Sequence, residues 1–418
     1  MNRPYTGSGW GECLYPKAKR LMEKRYDVII VGAGPAGCSA AMSLARLGYE
    51  VALLEKEKFP RGKVCGDGIG PASLEVLDRL GVLPEVLQKS PWRIDGIKLS
   101  SPSGRMVSAS FSHLRNPYPY GVVMPRREFD SLLFERAGNH PRIRILEKWA
   151  VKDLLFRDGS AEGVRAESEG EKGEFYGKIL VGADGAYSTV RRKIFPRRKV
   201  PAPGAFGLRA YFQGVSGLTG HIEIHCPRSL LPGYGWVFPT GGDSANVGVG
   251  IASDQVRNKD LRGLFRAFVE ETKGVKERLA SARMAENSLQ GGPIPLAGFW
   301  GRRSRGNILL VGDAGTFADV LTGEGIYSAL RSGECAAEAI HRALSSSGDG
   351  GRTGAIYERI WRKNLGSLDF LIGPWAQKCM VREFFLDRNI GRAARKPSMA
   401  RDLASILCHE KSKIGLFF

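Results

Sequence analysis

Apolar positions along the chain follow two periods. Continuous β-branched runs at residues 27–31, 51–54, 178–181 and 307–311 suit short strands buried on both faces of a parallel sheet. Elsewhere the pattern alternates. Residues 93–100 and 105–111 flank a Ser-Gly turn and read as a hairpin, 143–149, 151–156 and 163–168 read as short strands, and 205–251 reads as a large antiparallel sheet broken by Pro and Gly. Helical spacing marks 72–80, where Leu74, Leu77 and Leu80 share a face. It also marks 122–137, where Phe129, Leu132, Leu133 and Ala137 do, and 260–271. Residues 353–418 read as helices rich in Trp, Phe, Leu and Arg.

This order predicts an α/β chain. A polar extension (1–25) precedes a discontinuous Rossmann-like domain (26–91, 121–195 and 296–345), an inserted antiparallel β-sheet domain (92–120 and 196–295) and a helical C-terminal region (346–418).

The first apolar run leads into Gly32, Gly34 and Gly37, with Pro35 and Ala36 between them, at the entry to a helix. The first glycine permits a tight turn, the second lets a pyrophosphate approach the backbone, and the third allows close helix–strand packing. The helix N-terminus offers free N–H groups and the positive end of its dipole. Glu55 follows Gly37 by 18 residues, at the end of the second strand, where a carboxylate accepts hydrogen bonds from a ribose diol. An adenine dinucleotide is the expected ligand, and both FAD and NAD(P) satisfy this motif.

Composition is that of an ordinary globular protein except in charge. The formal net charge of +19 at pH 7 points to an anionic partner. The basic residues are scattered and build no nucleic-acid module, so a membrane surface or an acidic ligand is favoured over nucleic acid. Seven cysteines (13, 38, 65, 226, 335, 379 and 408) form no metal-binding spacing and are odd in number, which suits a reducing cytoplasm and predicts no metal site. No signal-peptide pattern or membrane-span pattern is present, so the expected location is cytoplasmic, with peripheral contact on the inner membrane face as a further expectation.

Two more turns repeat the logic of the first. Asp184 and Gly185 follow one strand, Gly312 and Asp313 another, each placing a carboxylate beside small residues. Asp313 suits a ribityl hydroxyl, which NAD(P) does not have. Gly323, Gly325 and Ile326 open a long small-residue helix whose amides suit the negative edge of a reduced flavin. The long loop 56–71 beside the dinucleotide turn contributes Lys56, Arg61, Cys65 and Gly66 to the expected cofactor contacts.

The motifs GAGPAG, PRREFD, GADG and GDAG, in this order over residues 26 to about 345, resemble the FAD-dependent oxidoreductases grouped with p-hydroxybenzoate hydroxylase. The resemblance implies an FAD-binding domain of that type. It places Glu55 at the adenosine ribose, Arg126 near the phosphate–ribityl region, Asp184 in the second dinucleotide motif and Asp313 on the ribityl chain.

Within that group, KVCGDG at 63–68, PGYGWVFP at 232–239, ANVGVG at 245–250 and DVLTGEGIYSALRSG at 319–333 are most similar to the geranylgeranyl reductase family. That similarity implies saturation of isolated double bonds in a polyprenyl lipid or prenylquinone, with NAD(P)H or a ferredoxin-like protein as electron donor.

The residues themselves agree. Tyr234, Trp236 and Phe238 alternate onto one strand face as an aromatic wall for an apolar chain, and Tyr234, Trp236 and Cys65 are the expected catalytic residues. Cys65 is the first candidate proton donor, whereas His221 and His225 lie within a strand and suit structural roles. Phe370, Leu371, Trp375, Phe384, Phe385 and Leu386, among Arg382, Arg388, Arg392 and Arg395, suit either an anionic bilayer or a cap over the substrate domain. Two alternatives share the cofactor. One is a flavin-dependent halogenase or aromatic monooxygenase, for which Lys63 is suitably placed although Tyr234 stands where halogenase relatives carry tryptophan. The other is a non-catalytic flavin- or lipid-binding protein.

Overall fold

The computed structural model describes residues 24–90, 92–196, 204–252, 260–296, 301–346, 350–366 and 382–412. Phe370, Leu371, Trp375 and the first 23 residues, which figure in the expectations above, lie outside them.

The chain enters as β1 (Arg25–Val31), α1 (Pro35–Arg46) and β2 (Val51–Glu55). β1 runs parallel to β2, from Val28 beside Val51 to Val31 beside Leu54. All five residues of β2 are buried, as a strand covered on both faces requires. β3 (Gly68–Ile69), α2 (Pro71–Arg79) and α3 (Leu83–Lys89) follow. α3 is absent from the sequence reading. It is seven residues long and buries only Leu83 and Val86, too few positions to establish a helical period.

The chain then leaves the first sheet through β4 (Arg93–Ile94), β5 (Gly96–Ser100) and β6 (Met106–Ser110), and returns at β7 (Gly121–Val123). β3, β7 and β4 form a small three-stranded sheet at this crossing. α4 (Arg126–Gly138), β8 (Ile143–Glu147), the hairpin β9 (Ala150–Arg157) and β10 (Ser160–Ser168), β11 (Glu171–Gly182) and α5 (Thr189–Ile194) come next. β11 pairs antiparallel with β10 through its first half and parallel with β1 through its second, so one strand joins the hairpin to the parallel sheet.

The second excursion holds β12 (Ala205–Gln213), β13 (His221–His225), β14 (Tyr234–Gly241) and β15 (Ser244–Ala252). It continues through α6 (Leu261–Glu271), α7 (Val275–Leu279), β16 (Arg283–Met284) and β17 (Gln290–Ile294). The chain re-enters the first sheet at β18 (Ser304–Arg305) and β19 (Ile308–Leu310). It then runs through α8 (Ile326–Ser346), α9 (Thr353–Leu365), α10 (Glu383–Arg395) and α11 (Pro397–Leu407).

The first sheet has the order β18-β19-β11-β1-β2-β8, in which β19, β11, β1, β2 and β8 are mutually parallel. The second has the order β16-β12-β15-β14-β13-β5-β6 and is antiparallel except at β13–β5. Alternation divides the second sheet into two faces. Leu208, Val247, Val249 and Val237 pack against Phe265 and Phe268 of α6. The opposite face turns toward the first domain.

The C-terminal region does not form one unit. Tyr357 of α9 donates a 2.8 Å hydrogen bond to the Leu310 carbonyl of β19, and Trp361 meets Phe317 edge to face at 5.5 Å, so α9 belongs with the parallel sheet. α10 and α11 instead place Ile390, Ala393, Ala400 and Ala404 in one cluster with Ile97, Val107 and Ala109 of β5 and β6. Of the residues read as a cap or a bilayer contact, those in α10 thus lie on the helix that packs beside the second sheet. Among the described residues no helix is long and apolar enough to cross a membrane.

Candidate active site

β1 ends at Gly32, whose φ of +101° favours glycine and whose amide donates to the Leu54 carbonyl at 2.7 Å. A Cβ on Gly32 would lie 2.4 Å from the Ala183 carbonyl oxygen, and one on Gly37 would lie 1.9 Å from that of Gly32. These two glycines fix the turn and its packing. At Gly34 a Cβ would meet only Arg61, at 3.4 Å, and α1 opens there with Pro35 at its first turn and no side chain capping it. Pro35 and Ala36 border the same space. The surface is an open helix end with room for a pyrophosphate.

The cavity at this turn is about 640 Å³. Among the residues expected in the site, every one except Gly37 borders it; Gly37 lies behind, in the strand–helix contact. Glu55 stands on the floor, 4% exposed, and accepts from the amides of Ala33 (2.9 Å) and Glu57 (3.0 Å). Lys56, beside it, is exposed and lies 3.9 Å from Glu57. Arg61 and Arg126 converge on Asp130: Arg61 donates at 2.9 Å and Arg126 at 2.6 and 2.8 Å. Burial opposes ionisation of Asp130, but the Arg126 guanidinium outweighs it and holds the carboxyl below its ordinary value.

Asp184 borders the cavity, yet its carboxylate closes the first turn of α5, accepting from the amides of Thr189 (2.6 Å) and Val190 (3.1 Å) and from the Ser188 hydroxyl. The same oxygens thus have a local structural use beside their place on the cavity wall. Asp313 forms an ion pair with Lys63. Gly185, Gly312, Gly323, Gly325 and Ile326 complete this wall, Gly323 with a φ of +69°, and α8 begins at Ile326 with its N-terminal end at the cavity.

The opposite wall is apolar. Tyr234, Trp236 and Phe238 of β14 face it in succession, with ring centroids 6.2 and 6.3 Å apart, beside Ile222 and Ile224 of β13. Tyr234 donates its hydroxyl to the Thr322 carbonyl, tying the aromatic wall to the turn before α8. A Cβ on Gly248 would sit 2.2 Å from the Trp236 ring and one on Gly66 would sit 2.9 Å from Phe238, so glycines make room for both rings.

A buried polar network that the sequence reading misses holds the Cys65 loop in place. Trp236 donates its indole N–H to Asn246 at 2.9 Å. Asn246 in turn donates to the Cys65 carbonyl (2.8 Å) and to Asp67 (2.7 Å), which also accepts from Tyr211 (2.6 Å) and the Arg126 amide (3.2 Å). Asp67 is fully buried with φ +67°. Burial pushes its carboxyl above the ordinary value against these donors. The only sequence signal was membership of Asp67 and Asn246 in the KVCGDG and ANVGVG motifs.

Cys65 is partly buried on the cavity wall, and burial pushes its thiol up against the opposing charge of Arg126, so it retains its proton. His225 is on the other face of the sheet, with its Nε2 3.4 Å from Glu223, whose carboxylate also pairs with Arg278 at 2.7 Å. His221 belongs to that same face, and neither histidine borders the cavity. Near the cavity end, His409, just beyond α11, stacks on Tyr327 at 4.6 Å and approaches Glu324 at 3.5 Å.

The glycine cradle, the open end of α1 and the neighbouring carboxylates fit an adenine dinucleotide, and the second helix end at α8 fits a flavin. Comparisons with known proteins agree. A family model described as FAD binding domain matches residues 25–351. The chain is 32% identical over 376 residues to digeranylgeranylglycerophospholipid reductase of Methanothrix thermoacetophila, covering 87% of this chain and 88% of that protein. It is 30% identical over 325 residues to menaquinone reductase of Mycobacterium tuberculosis, covering 75% and 76% respectively. Its fold matches a geranylgeranyl bacteriochlorophyll reductase-like protein from Thermoplasma acidophilum with a TM-score of 0.78 at 22% identity, over 94% of this chain and 99% of that one. FAD-dependent halogenases share the fold, so fold alone does not select a reaction. Cradle, family model and a similarity that spans 87% of the chain together make this chain an FAD-dependent oxidoreductase that belongs to the geranylgeranyl reductase family.

Proposed function

We propose that the protein saturates carbon–carbon double bonds in the polyprenyl chain of a membrane lipid or prenylquinone. One observation carries this reading: a dinucleotide cradle and a wall of isoleucines and aromatic rings face each other across one cavity. An unactivated alkene presents no charge to grip, so shape and burial must hold it. FAD, when bound, supplies a hydride for one alkene carbon, and a proton is needed at the other. Gly32, Gly34, Pro35, Ala36 and Glu55 are positioned to hold the adenine dinucleotide half, with Arg61 and Arg126 near its phosphates. Asp313, Gly323, Gly325 and Ile326 are positioned to hold the flavin half. Trp236 and Phe238 would lie along the alkene, Tyr234 would fix their distance from α8, and the Cys65 thiol, protonated on the cavity wall, would be the proton donor.

Lys63 is held by Asp313, and the strand reads Trp236-Val237-Phe238-Pro239, which supports the reductase reading over the halogenase one. The net charge and the exposed Phe384 and Phe385 support docking on anionic lipid, and the electron donor in this reading is NAD(P)H or a ferredoxin-like protein.

The test is anaerobic. Flavin-loaded protein is reduced with dithionite and mixed with polyprenyl lipids while flavin absorbance and lipid mass are followed. Reoxidation with a gain of two mass units per event is expected. Flavin that stays reduced with every prenyl lipid, and reoxidises only with oxygen while modifying an aromatic acceptor, sinks the reading.

A further inference from the structure

A second cavity, of about 550 Å³, lies next to the first. Gly62 and Lys63 border both, so the loop carrying Cys65 separates them. The same face of β12 runs beneath the two: Gly207 borders the first cavity, and Arg209 and Tyr211 border the second. Arg127 and Glu128, in the first turn of α4, form the other side.

The charge of this cavity is unbalanced. Lys63, Arg127 and Arg209 face a single acid, Glu128. Lys63 has Asp313 as its partner, whereas among the described residues neither Arg127 nor Arg209 has a carboxylate within ion-pair distance. Arg209 is 5% exposed. Its guanidinium lies over the Tyr211 ring at 4.5 Å, its Nη1 donates to the Ser288 carbonyl at 2.6 Å and its Nη2 to the Gln290 side chain at 3.3 Å, all neutral partners, and its buried Nε has no hydrogen-bond partner. The Arg209 charge favours ionised Asp67 without forming an ion pair with it. A guanidinium removed from water with only neutral groups in contact is costly, and an anion arriving beside it offsets that cost.

We infer that this second cavity binds a phosphate-bearing group, held by Arg209 and Arg127 with Lys63 at its inner edge. Phosphate offers several acceptor oxygens at full charge, and the planar guanidinium fork matches them. Such a group belongs to two molecules of the proposed reaction: a nicotinamide dinucleotide that re-reduces the flavin, or a prenyl substrate with a phosphate headgroup. Phosphate binding here is independent of the prenyl reading, and only its source depends on it.

The experiment uses the full chain loaded with FAD, so that the glycine cradle is occupied. Inorganic pyrophosphate is titrated calorimetrically into the parent protein, Arg127→Glu and Arg209→Gln. Binding is expected in the parent and at least about tenfold weaker in each variant. Arg127 is exposed on the rim, so Arg127→Glu keeps the test intact if Arg209→Gln fails to fold. Two further arms assign the source. NADPH affinity is read from flavin reduction, and geranylgeranyl diphosphate is compared with geranylgeraniol in reoxidising the reduced flavin. Weakening of NADPH alone assigns the reductant. Weakening of the diphosphate with geranylgeraniol unchanged assigns the substrate headgroup, and weakening of both means that the two ligands use the cavity in turn. Absence of pyrophosphate binding, or affinity within twofold of the parent in every folded variant, overturns the inference. Failure of both prenyl compounds to reoxidise the flavin would sink the prenyl reading while leaving the pyrophosphate result standing.

Discussion

Asn246 touches three parts of the site at once, the Trp236 indole, the Cys65 carbonyl and the Asp67 carboxylate. Asn246→Ala removes all three hydrogen bonds and leaves Asp67 with fewer donors. A loss of about 2 kcal/mol in denaturant unfolding is expected, together with faster labelling of Cys65 by thiol reagents in the folded protein; Cys65→Ser provides the blank. An unchanged labelling rate would show that the loop does not depend on this network. Glu223 gives a prediction in pH. Burial pushes it up, but the neighbouring His225 and Arg278 overcome this and hold it down at about 2, from an ordinary 4.5. A depressed carboxyl contributes stability that is present above its unfolded value and is lost as pH falls through the folded one. Glu223→Gln should therefore cost roughly 3 kcal/mol at pH 7, with the gap to the parent closing between about pH 4.5 and pH 2 in thermal melts. A gap that is constant over this range would mean that the charge is not responsible.

At the scale of elements, what is local along the chain is also what the sequence makes legible. β1, α1 and β2 follow from one unbroken stretch of pattern, and the facing of Tyr234, Trp236 and Phe238 follows from simple alternation within β14. The Asp67–Asn246 bond joins residues 179 positions apart, and no period of 2 or 3.6 reports such a pair. The helix-end hydrogen bonds of Asp184 are hidden for a different reason: a strand–turn acid looks the same in sequence whether or not it also holds the amides of the next helix. Gly248 in β15 is the element-level test of the aromatic wall. Gly248→Ala places a methyl 2.2 Å from the Trp236 ring, which must move. We expect normal FAD content, a shifted tryptophan emission and prenyl turnover at least about tenfold lower, since misplacement by an ångström is enough to impair reaction geometry. Turnover at the parent rate would remove Trp236 from the reactive wall.

For the whole molecule, the division of the C-terminal helices predicts separable functions. A chain ending at residue 366 keeps α9 against the parallel sheet and loses α10 and α11, baring Ile97, Val107 and Ala109. It should retain FAD, bind a hydrophobic dye and lose prenyl turnover. Loss of FAD as well would place the two helices in the cofactor domain. The net charge of +19 predicts co-sedimentation with anionic but not zwitterionic vesicles, weakening as salt rises past about 0.15 M, where screening acts within about 8 Å. Equal binding to both vesicle types would assign the contact to apolar residues alone.

The cofactor cradle is also spread in time. Gly32 and Ile326 border one cavity but are 294 positions apart, about half a minute of synthesis at roughly 10 residues per second. A nascent chain thus carries its glycine turn long before the α8 wall exists, and His409, which borders the same cavity, emerges later still. The two ends of the cradle thus become available at different times during synthesis, the glycine turn first and the α8 end second.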